Sequence, residues 1–469
     1  EALAEAPAVQ EGAPGPKGSE TPGPAGTPRD QTPASTKARS AKAPRLDALD
    51  APRWLCSCMI VCYHFYKEEL GVFAEWGSAW TQFFFVLSGF VLAYVEMARP
   101  VSKAPNISQL EYLRKRLITV YPTYLLALLL RMLTNRIYHP AFDWAVLPMH
   151  VLLIQSWVPI CIEKEAHPRE ICVDFPIACG PADSHFLCAT QRWNGVAWFM
   201  SCLVVYWLLL RPLARHFRTY SIGACYCALL GLWLFSVVPG LLQWTEQGGT
   251  CTGYCYQVLW SAIQGCSLGY FHVYVSGIVA ARIFVLTAMS DAETGGPPTE
   301  LSRHLALEVG KAPAIFRYGA IIGYVVYAFI VVFVDYHAMY LFYHNGGILP
   351  LMVLILLGCA LGVDPAATYL FRSRPLLLMG RISYNQYILQ ETVWDFAEYN
   401  IGVHSSFWKK VLFPVLLLAS AYLCERFFTS PLTQWQRWRQ EKNIKGIDDW
   451  AIEKTLSIKS TLSEKVSIW

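Results

Sequence analysis

The stretch AWTQFFFVLSGFVLAYVEMA, residues 79–98, holds a single charged side chain, Glu96, in an otherwise apolar run. A helix that crosses a bilayer requires about 20 predominantly apolar residues, so this stretch predicts a membrane span. The whole chain has the same character. Of its 469 residues, 54% are hydrophobic and 15% are charged, whereas soluble domains carry about 25% charged residues. The sequence therefore predicts an all-α polytopic membrane protein embedded in a lipid bilayer.

Comparable apolar stretches predict about ten transmembrane helices. They lie at 53–70, 79–98, 117–135, 193–210, 221–242, 259–285, 314–335, 346–363, 381–399 and 409–428. An eleventh stretch, 144–160, contains two prolines, Pro148 and Pro159. Its status follows from the distribution of basic residues among the loops.

Cytosolic loops of membrane proteins are enriched in Lys and Arg. The two most basic short connections are LRKRL (113–117) and RPLARHFR (211–218), so both are expected in the cytosol. An even number of crossings must separate them, and the spans 117–135 and 193–210 supply two. We therefore interpret 144–160 as a re-entrant or interfacial helix on the outer side. Both chain termini are then cytosolic.

Three segments are expected along the chain. Residues 1–44 hold 8 of the 28 prolines and no aromatic residue, a composition typical of disordered tails. Residues 45–430 form the transmembrane domain, and residues 431–469 form a basic cytosolic tail. The net charge of +4 comes from basic residues clustered by loop, and we expect no nucleic-acid partner.

Six cysteines fall in predicted outer loops: Cys161, Cys172, Cys179, Cys188, Cys251 and Cys255. An even number in one compartment favours disulfides, which form in oxidising environments. A zinc site that uses His167 and His185 is the alternative, but the cysteine spacings are wider than those of usual zinc ligands, and we expect no bound metal. The disulfides predict a plasma membrane or a secretory-pathway membrane, without deciding their connectivity.

Two ionisable residues, Arg53 and His64, flank the first apolar run. They are eleven residues apart, so on a helix they share a face, about 16 Å apart along the axis. An ionisable residue inside a membrane is a functional candidate, although an interfacial anchor and a hydrogen-bonded core histidine are the alternatives. A neutral imidazole can act as a base or a nucleophile, and a guanidinium suits phosphate or an oxyanion.

A basic cluster, Arg114, Lys115 and Arg116, stands where the third span leaves the cytosol. Cations at a helix start oppose the helix dipole. One explanation is that these cations only set the orientation of the helix in the membrane. The alternative is that they recognise a phosphorylated ligand.

Further polar residues are weaker candidates. Cavity-lining roles are possible for Ser88, Ser383, Tyr384 and Glu425. Helix–helix packing is the commoner role of such residues, and we expect Glu425 to pair with Arg426 or a loop cation. Near an outer loop, His337 and His344 could face an acceptor, but we expect both to be solvated loop histidines.

Seven elements follow one another in the chain: the Arg53-to-His64 spacing, FFVLSGF (84–90), the basic cluster followed by YP (114–122), AWFMSCLVVYWLLLRP (197–212), FHVYVSGIVAARIF (271–284), LLLMGRISYNQYILQ (376–390) and CERFFTSP (424–431). Together they resemble the acyltransferase 3 family of integral membrane acyltransferases, which includes bacterial O-antigen and exopolysaccharide acetylases. The resemblance covers residues 46 to 430.

The resemblance implies an O-acyltransferase with no bound cofactor. The implied donor is acyl-CoA, in particular acetyl-CoA, and the implied acceptor is a hydroxyl of a carbohydrate or lipid-linked molecule. By the same resemblance, His64 is catalytic, Arg53 is its partner, and Arg116 is the first arginine of an Arg-x-x-Arg donor motif.

Three positions depart from the family pattern: Thr119 replaces the second arginine of the donor motif, Gln390 replaces a histidine and Leu203 replaces a glutamate. These departures leave a catalytically silent scaffold as one alternative. A transporter or channel that uses His64 is another, although we find no internal symmetry of the kind many transporters show.

Overall fold

The computed structural model describes residues 46–98, 108–134, 140–157, 160–163, 186–241, 263, 268–288, 314–362, 364–436 and 438–439. All of them lie in the unit that spans Lys42–Trp469. This part of the chain is almost entirely helical, which confirms the all-α prediction.

Fifteen α-helices lie within the described residues. In the first half they are α1 (Asp50–Phe65), α2 (Lys67–Leu70), α3 (Val72–Glu75), α4 (Thr81–Met97), α5 (Gln109–Thr134), α6 (Pro140–Val151), α7 (Trp198–Phe217) and α8 (Ile222–Phe235). In the second half they are α9 (Phe271–Ala288), α10 (Ala314–Arg317), α11 (Gly319–Phe333), α12 (Tyr340–Phe342), α13 (Leu349–Leu361), α14 (Arg374–Ile401) and α15 (Phe407–Cys424).

Within the described ranges, six helices are long and apolar enough to cross a membrane: Val72–Met97, Gln109–Thr134, Gly195–Phe217, Ile222–Leu241, Phe271–Ala288 and Phe407–Gln436. A seventh candidate consists of Gly319–Phe333 and His337–Gly347, which are bent by 101° at the break between them. The chain is thus a polytopic membrane protein, and the count of ten spans stays a prediction.

The first helix is shorter than the predicted span 53–70. Helix α1 ends at Phe65, because the next residue, Tyr66, leaves the helical region with φ −130° and ψ 24°. The polar sequence Lys67-Glu68-Glu69 then forms the short helix α2. Gly71 follows with φ +50°, a conformation that favours glycine. The prediction was wrong here by five residues.

The stretch 144–160 does not form a membrane-spanning helix. Helix α6 has 12 residues, about 18 Å at 1.5 Å per residue, which is short of the hydrocarbon thickness. Leu153 then adopts a positive φ of 55°. The Ser156 side chain turns back onto α7 by donating to the Trp198 carbonyl at 3.0 Å. This geometry agrees with a re-entrant or interfacial segment.

One element was missed by the sequence-based prediction. Strand β1 (Cys161–Glu163) pairs antiparallel with strand β2 (Phe186–Cys188), and Cys161 lies opposite Cys188. Cys188 is disulfide-bonded. Cys172, Cys179, Cys251 and Cys255, together with His167 and His185, lie outside the described residues. The expectation that the six cysteines form disulfides among themselves therefore stays a prediction.

The centre of the bundle is the contact between α4 and α9, the most extensive between any two described elements. Gly89 of α4 lies against the carbonyl of Tyr274, and Gly277 of α9 lies against the carbonyl of Val86. Small residues let membrane helices approach closely. On one side of this pair α1 packs along α14, and on another α11 packs along α13.

Candidate functional site

Helix α1 carries both residues of the predicted pair. Arg53 lies in its first turn and His64 in its last, so about 16 Å of helix axis separates them. The two side chains belong to two different environments, which are described in turn.

The Arg53 guanidinium joins the start of α1 to α14. Its Nε donates to the Ser383 hydroxyl at 3.1 Å and to the Gly380 carbonyl at 3.2 Å. A terminal nitrogen donates to Asp50 Oδ1 at 2.6 Å and to the same carbonyl at 2.6 Å. The side chain is 36% exposed. The arginine is therefore held in place while part of it still faces the surroundings of the bundle.

The His64 imidazole sits half-buried at the other end of α1. Its Nδ1 is buried, and it has no hydrogen-bond partner among the described residues. A buried polar atom without a partner costs free energy, so this atom is a candidate for contact with a substrate. The neighbouring Phe65 ring stacks on Trp394 at 4.6 Å and meets Phe413 edge-on at 4.9 Å. These contacts fix the last turn of the helix.

A second histidine accompanies His64, and sequence reasoning placed it wrongly. His344 was expected to be solvated, but it is 3% exposed and its Nδ1 is hydrogen-bonded to the Tyr270 hydroxyl. His344 and Lys67 are the charged or titratable groups that act electrostatically on His64. By contrast, the His337 side chain is 65% exposed, as expected, and lies 3.2 Å from Glu75.

The three residues of the basic cluster at the start of α5 have three different environments. Lys115 pairs with Glu111 at 2.9 Å, Arg114 is exposed, and the Arg116 guanidinium lies 5.1 Å from the centre of the Tyr112 ring. Thr119, at the position of the missing arginine, is exposed, and its hydroxyl donates to the Lys115 carbonyl at 3.2 Å. The cluster thus presents positive charge at positions 114–116, whereas Thr119 adds no charge.

The family model described as an acyltransferase domain matches residues 46–425. The chain belongs to the acyltransferase 3 family. No curated protein and no solved structure matches the chain in the parallel comparisons. The match contains α1 to α15 and with them both environments described above. In general terms, this family member is an integral membrane acyltransferase.

The remaining predicted site residues of this acyltransferase serve helix packing. Tyr384 donates to the Val120 carbonyl of α5 at 3.0 Å. Glu425 accepts from Asn385 at 3.2 Å and from Ser430 at 2.8 Å, and its expected pairing with Arg426 or a loop cation stays a prediction. Ser88 neighbours Gly89 in the close α4–α9 contact and is partly buried. Of the four predicted cavity residues, Ser383 contacts the predicted pair, through its hydrogen bond with Arg53.

Sequence reasoning missed a buried ion-pair network in this acyltransferase. Arg131 of α5 lies 3.8 Å from Glu391 and forms an ion pair with Asp395, both on α14. Glu391 also accepts from the Gly195 amide at 2.8 Å. The signal was available, since two acids four residues apart inside a span predict a cationic partner on a neighbouring helix. The network links the second half of α14 to α5 and to the turn that precedes α7.

Proposed function

We propose that this acyltransferase moves an acyl group, in particular acetyl, from acyl-CoA to a hydroxyl of a carbohydrate or lipid-linked acceptor. The observation that carries the proposal is the partnerless, buried Nδ1 of His64 in a half-buried imidazole at the end of α1. Such a group can exchange a proton, or bond to an acyl group, without first breaking a protein hydrogen bond.

His64 can act in two ways. As a general base, it takes the proton of the acceptor hydroxyl while the hydroxyl oxygen attacks the thioester carbonyl. The C–S bond then breaks, and the CoA thiolate recovers the proton from the imidazolium. As an acyl carrier, a His64 nitrogen attacks the thioester carbonyl, the C–S bond breaks, and CoA leaves with the proton of the other ring nitrogen. The acceptor hydroxyl then takes the acyl group and gives its proton to the imidazole. Both routes give the ester and free CoA, and neither needs a metal or bound cofactor.

The donor would bind from the cytosolic side. The phosphates of acyl-CoA are anions, and Arg114, Lys115 and Arg116 supply positive charge at the start of α5. Arginine forms directional, charge-assisted hydrogen bonds to phosphate oxygens. The thioester lies at the far end of the long pantetheine arm from these phosphates. Docking of the phosphates at the surface therefore allows the thioester to lie deeper in the bundle, next to His64.

Arg53 would serve the donor at the same surface. Its contacts with Asp50, Gly380 and Ser383 hold the guanidinium at the start of α1. There it faces the path that the acyl-CoA arm would take along α1 toward His64. We place the acyltransferase in the plasma membrane or a secretory-pathway membrane with both termini in the cytosol.

Purified protein in lipid nanodiscs tests the proposal. Incubation with acetyl-CoA and longer acyl-CoAs should release the CoA thiol, measured with a thiol-reactive chromophore. Initial rates are then measured while the concentrations of donor and acceptor are varied. Ping-pong kinetics would assign the acyl-carrier role to His64, and ternary-complex kinetics would assign the base role. Solute flux without CoA would instead indicate a transporter. Protein that is folded but neither binds nor turns over any acyl-CoA would indicate a scaffold.

A further inference from the structure

A break in the seventh membrane segment brings His344 into the bundle. The sequence YHNGG (343–347) interrupts the helical path: Asn345 has φ −107° and ψ 29°, and Gly346 has φ +124°. At membrane depth, such irregular backbone is tolerated only where protein buries it or where it lines a water-filled cavity. In membrane proteins that move small molecules, helix breaks of this kind supply substrate contacts.

Specific contacts maintain this break. His272 Nε2 lies 2.7 Å from the Asn345 carbonyl oxygen and 3.2 Å from the Ser236 hydroxyl. The Asn345 side-chain amide donates to the Ile263 carbonyl at 2.9 Å. A Cβ at Gly346 would approach Ser236 Oγ to 2.2 Å, so no other residue fits there without rearrangement. The break is therefore a fixed element of the fold.

The break presents the His344 ring in one defined orientation. The Tyr270 hydroxyl meets its Nδ1. The Tyr270 ring is itself stacked on Phe85 at 4.8 Å and tilted against Trp198 at 5.2 Å. When the phenol donates to Nδ1, the ring proton stays on Nε2.

The same cluster reaches the end of α1. The Tyr340 ring lies 5.2 Å from the His344 ring, and its hydroxyl is hydrogen-bonded to Tyr63, the residue before His64. The rings of Tyr63 and His64 are 5.1 Å apart. These contacts place both imidazoles in one aromatic cluster. By the predicted topology, the cluster lies toward the outer side, opposite the basic cluster of α5.

We propose that His344 is the acceptor-side residue of this acyltransferase: its Nε2–H hydrogen-bonds the oxygen of the attacking hydroxyl, or of water, while His64 takes the proton. The inference rests on the proposed function. In the reaction the hydroxyl O–H bond and the thioester C–S bond break, the ester C–O bond forms, and the proton passes through His64 to the CoA thiolate. His344 keeps its own proton throughout, because it only orients the oxygen.

A pair of substitutions at one position tests this role. His344→Leu keeps much of the volume but removes both nitrogens, whereas His344→Gln places an amide donor near the position of Nε2. With acetyl-CoA as donor and water or n-octyl β-D-glucoside as acceptor, we expect His344→Leu to lower kcat at least tenfold, on the order of one lost hydrogen bond in the transition state. His344→Gln should recover part of the loss, the KM for acetyl-CoA should be unchanged, and His337→Leu should match the unsubstituted protein.

The outcomes separate this inference from the proposed function. If folded His344→Leu turns over like the unsubstituted protein while His64→Ala is inactive, the role of His344 is wrong and the proposed function stands. If His64→Ala is also fully active, both are wrong. A parallel loss in His344→Leu and His344→Gln with a raised KM for acetyl-CoA would show a merely structural role. Should His344→Leu not fold, Tyr270→Phe decides: a lower kcat supports the inference, and an unchanged kcat overturns it.

Discussion

Gly89 and Gly277 let the two central helices touch backbone to backbone. A Cβ at Gly89 would lie 2.2 Å from the Tyr274 carbonyl oxygen, and a Cβ at Gly277 would lie 2.0 Å from the Val86 carbonyl oxygen. Helix α4 carries the FFVLSGF element, and Tyr270, the partner of His344, lies one residue before the start of α9. Their close approach therefore sets the position of the aromatic cluster around His344.

Gly277→Ala should force the central helices apart. Overpacking of a tight interface costs about 1–3 kcal/mol, and the obstacle here is backbone, which cannot rotate away. We expect a lower midpoint of thermal unfolding in detergent, measured by tryptophan fluorescence. Gly231→Ala in α8 is the matched control, since a Cβ there meets nothing within 4 Å. Equal midpoints for the two variants would contradict the packing described for α4 and α9.

The spans and their packing residues were largely predictable because apolar composition and small residues are local properties of the sequence. The stretch 79–98 and the pair Ser88-Gly89 illustrate this. The burial of His344 was not predictable, since its partner Tyr270 is 74 residues away. Nor was the contact of Arg53 with Gly380, across 327 residues. An apolar run shows that a helix lies in the membrane, but it does not show which helices are neighbours.

Lys410 should stabilise the segment that follows His64. Its side chain is 7% exposed and pairs with Glu69, which is 19% exposed, and with Glu68, which is 84% exposed. Only the pair with Glu69 is well shielded, so Lys410→Met should cost about 1–3 kcal/mol by leaving that carboxylate without its partner.

The neighbouring residue provides the control for Lys410→Met. Lys409 is exposed and donates to the Ile401 carbonyl at 2.9 Å and to Ser405 at 3.0 Å, so Lys409→Met should leave the unfolding midpoint nearly unchanged. Chemical denaturation in detergent measures the free energy of unfolding of both variants. Equal stability of the two variants would show that the Lys410 ion pairs contribute nothing.

Arg53→Lys should impair the acyltransferase although it retains the charge. One ammonium cannot reproduce the fork of donors that reaches Asp50, Gly380 and Ser383 together. We expect acetyl-CoA turnover to fall roughly tenfold, on the scale of one or two lost hydrogen bonds, with a higher KM. Arg381→Lys, at an exposed position of α14, is the control. Unchanged kinetics in Arg53→Lys would remove Arg53 from the site.

Thr119→Arg should tighten acyl-CoA binding. The position is exposed, lies one helical turn from Arg116, and would restore the spacing of the family's donor motif. A new charge-assisted hydrogen bond to phosphate is worth about 1.5–3 kcal/mol at most, so we expect a dissociation constant lower by about tenfold in calorimetry.

A second threonine on the same helix serves as control for Thr119→Arg. Thr134 is partly exposed and donates to the Leu130 carbonyl at 3.2 Å, as Thr119 donates to the Lys115 carbonyl, but it lies at the other end of α5. Thr134→Arg should leave the dissociation constant unchanged. If Thr119→Arg behaves in the same way, the donor phosphates do not bind at the basic cluster.

The turnover of acetyl-CoA by His64→Ala, set beside that of His337→Ala, tests the central claim most directly. Both substitutions remove an imidazole from the outer half of the predicted topology, but only the first removes the partnerless nitrogen at the end of α1. We predict that His64→Ala releases CoA at least ~100-fold more slowly, the lower range for loss of a general base, with normal folding and acetyl-CoA binding, while His337→Ala is fully active. Undiminished CoA release by folded His64→Ala would contradict the account.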